Sequence, residues 1–106
     1  MTALEKFIEK ENIKSFSISS FNELTFLGAG GYGDVYHAYS EDRKEIVALK
    51  KVRNNAEESF TTFTREVKKI NKFNHENIIK LYGVAKGMIY NFSIINLKCE
   101  VLSLIL

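Results

Sequence analysis

The chain has 106 residues, 45% hydrophobic and 26% charged, with a formal net charge of +2. That size suits one small globular domain with a modest core. The charge is too small and too evenly mixed to argue for nucleic acid or an anionic membrane surface. A single cysteine, Cys99, excludes an internal disulfide and any CxxC metal or redox motif.

Leu4, Phe7 and Ile8 follow i, i+3, i+4 spacing, so residues 2–11 are predicted to form a short amphipathic helix. The simplest expectation for it is a terminal helix that docks loosely or frays. The alternating charges of "MTALEKFIEKENIK" leave no apolar run for a secretory signal. "NIKSFSISS" then reads as a polar connector, and Ser20 or Asn22 opens the next element.

From Phe21 the pattern becomes β-like. "FNELTFL" runs into "GAGGYG", and "DVYHAYS" after it places Val35, His37 and Tyr39 on one face, with Tyr36, Ala38 and Ser40 on the other. "EDRKE" is a charged turn, and "IVALKKV" is a nearly continuous apolar run suited to a buried strand. Residues 21–52 are thus expected to form three antiparallel strands, the first two joined through the glycines.

A helical period follows in "NNAEESFTTFTREVKKINKFN". Phe60, Phe63, Val67 and Ile70 fall on one face. Asn54 or Asn55 would cap its start, Glu57 and Glu58 would occupy the first turn, and Lys68, Lys69 and Lys72 the last. "IIKLYGV" is a fourth β-type run ending at Gly83, and "YNFSI" a fifth. The C-terminal stretch carries Asn91, Asn96, Lys98 and Glu100 and falls short of a clean membrane span, so a cytoplasmic location is expected. "EVLSLIL" at the end is apolar and β-prone, and its exposure would favour self-association.

The glycines raise the functional question. Gly28, Gly30 and Gly33 satisfy G-x-G-x-x-G. A dinucleotide site would need a helix after the third glycine and an acid about 20 residues on, yet β-type residues follow and Lys50, Lys51 and Arg53 stand there. No Gly-Lys-Ser/Thr follows either. A glycine-rich hairpin folding over the phosphates of ATP remains, because side-chain-free backbone N–H groups can approach phosphate oxygens closely. An ordinary flexible hairpin is the alternative from the glycines alone.

"VALK" decides between them. It supplies Lys50 from a strand, a point charge on a long stem that can reach phosphate. Lys51 points to the opposite face, while Ala48 shares the Lys50 face and leaves room for a flat base. Glu66, in "TREVKK", can reach the sheet from the helix edge and steady the lysine. His37 and His75 lie in unrelated contexts without partners at metal-ligand spacing, so no metal site is expected.

With "LGAGGYGDVYHA", "VALKKV" and "FTREVKKINKFNHENIIKLYG" in register, residues 21–85 resemble the N-terminal lobe of a eukaryotic protein kinase domain. The resemblance implies an α+β fold: a five-stranded antiparallel sheet with one helix, preceded here by the short N-terminal helix. It implies a phosphate loop from Leu27, Gly28, Ala29, Gly30, Gly31 and Gly33, with Tyr32 at its tip. Val35 and Ala48 would sandwich adenine, Lys50 would hold the α- and β-phosphates of ATP, and Glu66 would pair with Lys50. Glu76 stands where the family often has proline, and His75 becomes a structural turn residue.

The division expected is 1–20 helix and connector, 21–86 nucleotide-binding lobe, and 87–106 fifth strand with a non-matching tail. H-R-D and D-F-G do not occur in the chain, and with them go the family's catalytic base and Mg²⁺ ligands. Three readings stand: a shortened form of an active kinase, a non-catalytic nucleotide-binding or docking module that regulates a kinase, and a small α+β interaction domain. ATP and either a protein substrate or a partner lobe are the implied partners, with Mg²⁺ expected only alongside that second lobe. "LGAGGYGDVYHA" and "HENIIKLYG" resemble Ser/Thr and tyrosine-kinase-like enzymes alike.

Overall fold

A computed structural model describes residues 1–30, 33–52, 56–72, 80–88 and 90–96. Along the chain it gives α1 (Ala3–Glu11), β1 (Ser15–Ser17), a single 3₁₀ turn (Ile18–Ser20), β2 (Phe21–Gly30), β3 (Gly33–Ser40), β4 (Glu45–Val52), α2 (Ala56–Lys72), β5 (Leu81–Lys86) and β6 (Asn91–Asn96).

Local chemistry sets the ends of α1. Thr2 caps it: Glu5 N–H donates to Thr2 Oγ1 at 3.1 Å, and Thr2 N–H reaches back to Glu5 Oε1 at 3.4 Å. This reciprocal box satisfies two N–H groups that would otherwise lack partners. Asn12 closes the helix in the left-handed region, at φ 54°.

The six strands form one sheet in the order β1-β5-β6-β4-β3-β2. β2, β3 and β4 run antiparallel in sequence, and β6 fits between β4 and β5, antiparallel to both. A tight turn joins β3 to β4. Lys44 N–H donates to the Ser40 carbonyl at 2.7 Å, and Arg43 N–H donates to the hydroxyl of fully buried Ser40 at 3.1 Å.

Where five strands are expected, the described residues form six. The addition is β1, in the stretch read as a polar connector. It lies parallel to β5, with Phe16 opposite Ala85. Three residues with serines at both ends carry no β period of their own; long-range pairing makes the strand.

Period-two alternation buries the sheet on both sides. Val35, Ala48 and Ile95 pack with Ile70 of α2 on one face. Phe21, Ala38, Val47, Leu49, Ala85 and Ile94 pack on the other face, with Phe16 of β1. The apolar stripe of α2 sits as its spacing predicts, with Phe63, Val67 and Ile70 buried and Phe60 half-buried.

α1 departs from the expectation of a loose terminal helix. Leu4 is buried against Phe63, Val67 and Val84, and Phe7, Ile8 and Ile13 pack around that cluster. Docking follows from the apolar stripe: fully burying a leucine stabilises by about 2 kcal/mol, enough to offset fraying of a short helix.

The proposed caps Asn54 and Asn55, the turn at His75 and Glu76, and the tail from residue 97 lie outside the described residues, as do the side chains of Glu57 and Glu58. Among the described residues, no helix is long and apolar enough to cross a membrane.

Candidate nucleotide site

The glycine-rich segment forms the turn end of the β2–β3 hairpin. Gly28 pairs with Val35, Ala29 with Asp34 and Gly30 with Gly33, flanking Gly31 and Tyr32, which lie outside the described residues. The ladder slips between Phe26 and Gly28, so Leu27 sits at the irregularity and is partly exposed. Such a slip bends and twists a strand locally.

Directly across β4, Val35 is opposite Lys50, and Lys50 is opposite Ser93 of β6. One row along, His37 is opposite Ala48, and Ala48 opposite Ile95. Directly paired residues share a face, so Val35, Ala48 and Lys50 lie together on the side of the sheet that faces α2. Val35 and Ala48 are fully buried.

From α2, Glu66 meets this row. Its Oε1 lies 2.8 Å from Lys50 Nζ, with the two side chains only 17% and 7% exposed. That is well within ion-pair distance, and the low exposure limits screening by water. The strand lysine and the helix glutamate therefore touch.

Lys51 occupies the other face. Its Nζ is 3.4 Å from Asp34 Oδ2 and lies over the Tyr90 and Tyr36 rings, at 4.6 and 5.7 Å from their centroids. Burial alone would lower the pKa of this ammonium, but Tyr36 and Asp34 outweigh it and the net shift is upward. Consecutive lysines thus have separate partners on opposite sides of one strand.

Sequence reading missed several neighbours of the site. Ser93, buried opposite Lys50, and Ile95, which packs beside Ala48, belong to β6, whose short alternating run gave only a weak signal. The helical spacing puts Ile70 on the core face of α2, and the fold brings it beside Val35 and Ala48. Among the described residues His37 Nδ1 is buried with no hydrogen-bond partner, a feature that depends on depth and no sequence pattern indicates. Among the described residues no group of three or more His, Cys, Asp or Glu side chains could hold a metal ion.

Comparison with known proteins agrees with this geometry. A family model described as the protein kinase domain matches residues 21–102. The chain is 45% identical over 69 residues to cyclin-dependent kinase C-1 of Oryza sativa subsp. japonica, covering 63% of this chain and 13% of that protein. It is 46% identical over 69 residues to cyclin-dependent kinase C-1 of Arabidopsis thaliana, covering 63% of this chain and 14% of that protein. It is also 38% identical over 87 residues to the G-type lectin S-receptor-like serine/threonine-protein kinase SD1-1 of Arabidopsis thaliana, covering 74% and 11%. The chain thus spans about a seventh or less of the length of these relatives. A glycine hairpin, a strand lysine in contact with a helix glutamate, and a match over most of its length place this chain in the protein kinase family.

Proposed function

We propose that these residues are the ATP-binding N-terminal lobe of a protein kinase and do not transfer phosphate by themselves. The observation that carries the reading is the 2.8 Å contact between Lys50 Nζ and Glu66 Oε1, on the face shared with Val35 and Ala48. An ammonium held by a carboxylate keeps its position near the phosphates without folding back onto the chain.

In this reading Lys50 holds the α- and β-phosphates and Glu66 orients Lys50. The backbone N–H groups of Gly28, Gly30, Gly31 and Gly33 would donate to the phosphates, with Leu27, Ala29 and Tyr32 assigned to the same glycine-rich segment. Val35 and Ala48 line the base. Both are fully buried, so a base reaching them must displace the protein atoms that cover them. Affinity is therefore weak in these residues alone.

Phosphoryl transfer needs a base for the substrate hydroxyl and metal ions bridging the phosphates. The H-R-D and D-F-G strings that supply them in the family are not in this sequence. We assign both, with Mg²⁺, to a second lobe or a partner protein that completes the cleft. Protein hydroxyls are the substrate class, and the presence of cyclin-dependent kinases among the relatives supports a regulatory protein partner. A cytoplasmic location, with neither nucleic acid nor membrane as partner, completes the proposal.

Titration calorimetry with Mg-ATP tests it. The expected result is weak saturable binding, with Kd in the high micromolar range or above, lowered at least about tenfold in affinity by Lys50→Met. Binding unaffected by Lys50→Met would overturn the assignment of Lys50. Phosphate transfer onto protein by the 106 residues, abolished by the same change, would overturn the inactive reading.

A further inference from the structure

The residues before Phe21 lie outside the segment that matches the kinase family, yet they pack on its helix and sheet. Leu4 is buried in one cluster with Phe63 and Val67 of α2 and Val84 of β5, and Phe7 and Ile8 pack against the same cluster. Val67 is the immediate neighbour of Glu66. The apolar wall that α1 covers is therefore the flank of the helix turn that presents Glu66 to Lys50.

A second attachment fixes where α1 must sit. Ile13 N–H donates to the Ile8 carbonyl at 2.9 Å, ending the helix, and Val84 N–H of β5 donates to the Lys14 carbonyl at 2.9 Å. β1 then runs parallel to β5 through Ser15–Ser17. Gly83 makes this close approach possible. A Cβ there would lie 2.3 Å from the Lys14 carbonyl oxygen and 2.7 Å from the Phe16 ring. The strand edge is shaped to receive the N-terminal segment.

We infer that residues 3–17 are an intramolecular brace: β1 anchors on β5 at Gly83, and Leu4, Phe7 and Ile8 hold α2 where Glu66 meets Lys50. Leu4, Phe7 and Phe16 are thus positioning residues, acting on the site through α2 and β5. The consequence for ATP rests on the function proposed above, whereas the effect on the ion pair does not. A brace supplied in cis lets the lysine–glutamate contact form without a partner protein pressing on α2. Glu11 and Lys68 add a contact of 3.8 Å between the helices, too exposed to contribute much.

The test measures α2 and Lys50 without nucleotide. Limited acetylation with acetic anhydride, read by fragment mass spectrometry, gives the labelling ratio of Lys50 to Lys51, whose ammonium has its own partners on the opposite face. Amide exchange on the same full chain reports α1, α2 and β4 separately. Leu4→Asp is expected to deprotect α1, speed exchange across residues 63–70, and raise the Lys50/Lys51 ratio about tenfold, with β4 protection retained. Leu4→Met is expected to restore wild-type values, and Phe7→Asp, at a less buried position, to give an intermediate ratio.

A ratio within about twofold of wild type, in a variant whose α1 has lost protection, overturns the brace. So does loss of protection in α2 and β4 together in Phe7→Asp, which marks α1 as general core. Mg-ATP titration of the unaltered chain separates the two proposals: a brace that responds in a chain that binds no ATP leaves this inference standing and removes the nucleotide role.

Discussion

Lys50 on β4 and Glu66 on α2 are 16 residues apart in sequence and 2.8 Å apart in space, a contact that ties the helix to the centre of the sheet. Glu66→Gln keeps the shape and removes the charge, leaving an ammonium that is only 7% exposed without its carboxylate. Exposed pairs contribute up to about 1 kcal/mol, and breaking fully buried ones costs about 3–5 kcal/mol. This pair lies between, and Glu66→Gln should destabilise by about 1–3 kcal/mol in urea unfolding. Combined with Lys50→Met, the loss should be smaller than the sum of the single losses, because the stranded charge is gone. Strict additivity would show that the two side chains are not coupled in solution.

Gly83 is the position where the smallest change should have the most local effect. Its absent side chain admits the Lys14 carbonyl and the Phe16 ring, and its φ of 158° also disfavours a side chain. Gly83→Val should detach β1 from β5 at a cost of about 1–3 kcal/mol. The Val84 amide, which donates to Lys14, should lose its exchange protection before the amides of β4 do. Retained protection at Val84 would mean that the edge can accommodate the branched side chain.

Much of this fold is legible from local pattern because its elements follow clear periods. The spacing of Phe63, Val67 and Ile70 gives the buried stripe of α2, and the order of glycines, Lys50 and Glu66 gives the hairpin and the lysine–glutamate contact. The failures share one cause. β1 is three residues long and exists only because β5 offers an edge, and the docking of α1 depends on where Val84 and Phe63 come to lie. Gly83 read as the end of a strand, whereas β5 continues through it to Lys86 because the glycine accommodates a neighbouring chain segment. Both faces of β6 are buried, so its apolar residues run on as Ile94 and Ile95 where a one-sided strand would alternate.

Truncation on one face of the sheet should cost far more on the central strand β4 than on the edge strand β2. Leu49 is fully buried among Val47, Ala38 and Ile94, so Leu49→Ala removes buried apolar volume and leaves a cavity. The expected loss is about 2–5 kcal/mol, a large part of the total stability of a domain this small. Phe26 is 55% exposed and meets Tyr36 edge-on, with ring centroids 5.6 Å apart. Phe26→Ala should cost only about 0.5–1.5 kcal/mol. Urea titrations of the two variants should therefore rank Leu49→Ala well below Phe26→Ala, and a reversed order would contradict the packing.

Alkaline pH should destabilise the chain through two groups of different charge type. The Lys51 pKa is raised above its ordinary 10.5, because Tyr36 and Asp34 together outweigh the lowering effect of burial. The Tyr82 pKa is raised above its ordinary 10.0, first by burial and then by the nearby Glu45 carboxylate, against an opposing effect of Arg43. In both cases the folded chain holds a proton more tightly than the unfolded chain. Each contribution is therefore complete below the unfolded pKa and is lost as pH rises through the folded one. Stability should be flat with respect to these groups at neutral pH and fall from roughly pH 10 upward. Tyr82→Phe removes one of the two and should make that decline shallower, whereas an unchanged slope in the variant would remove Tyr82 from the account.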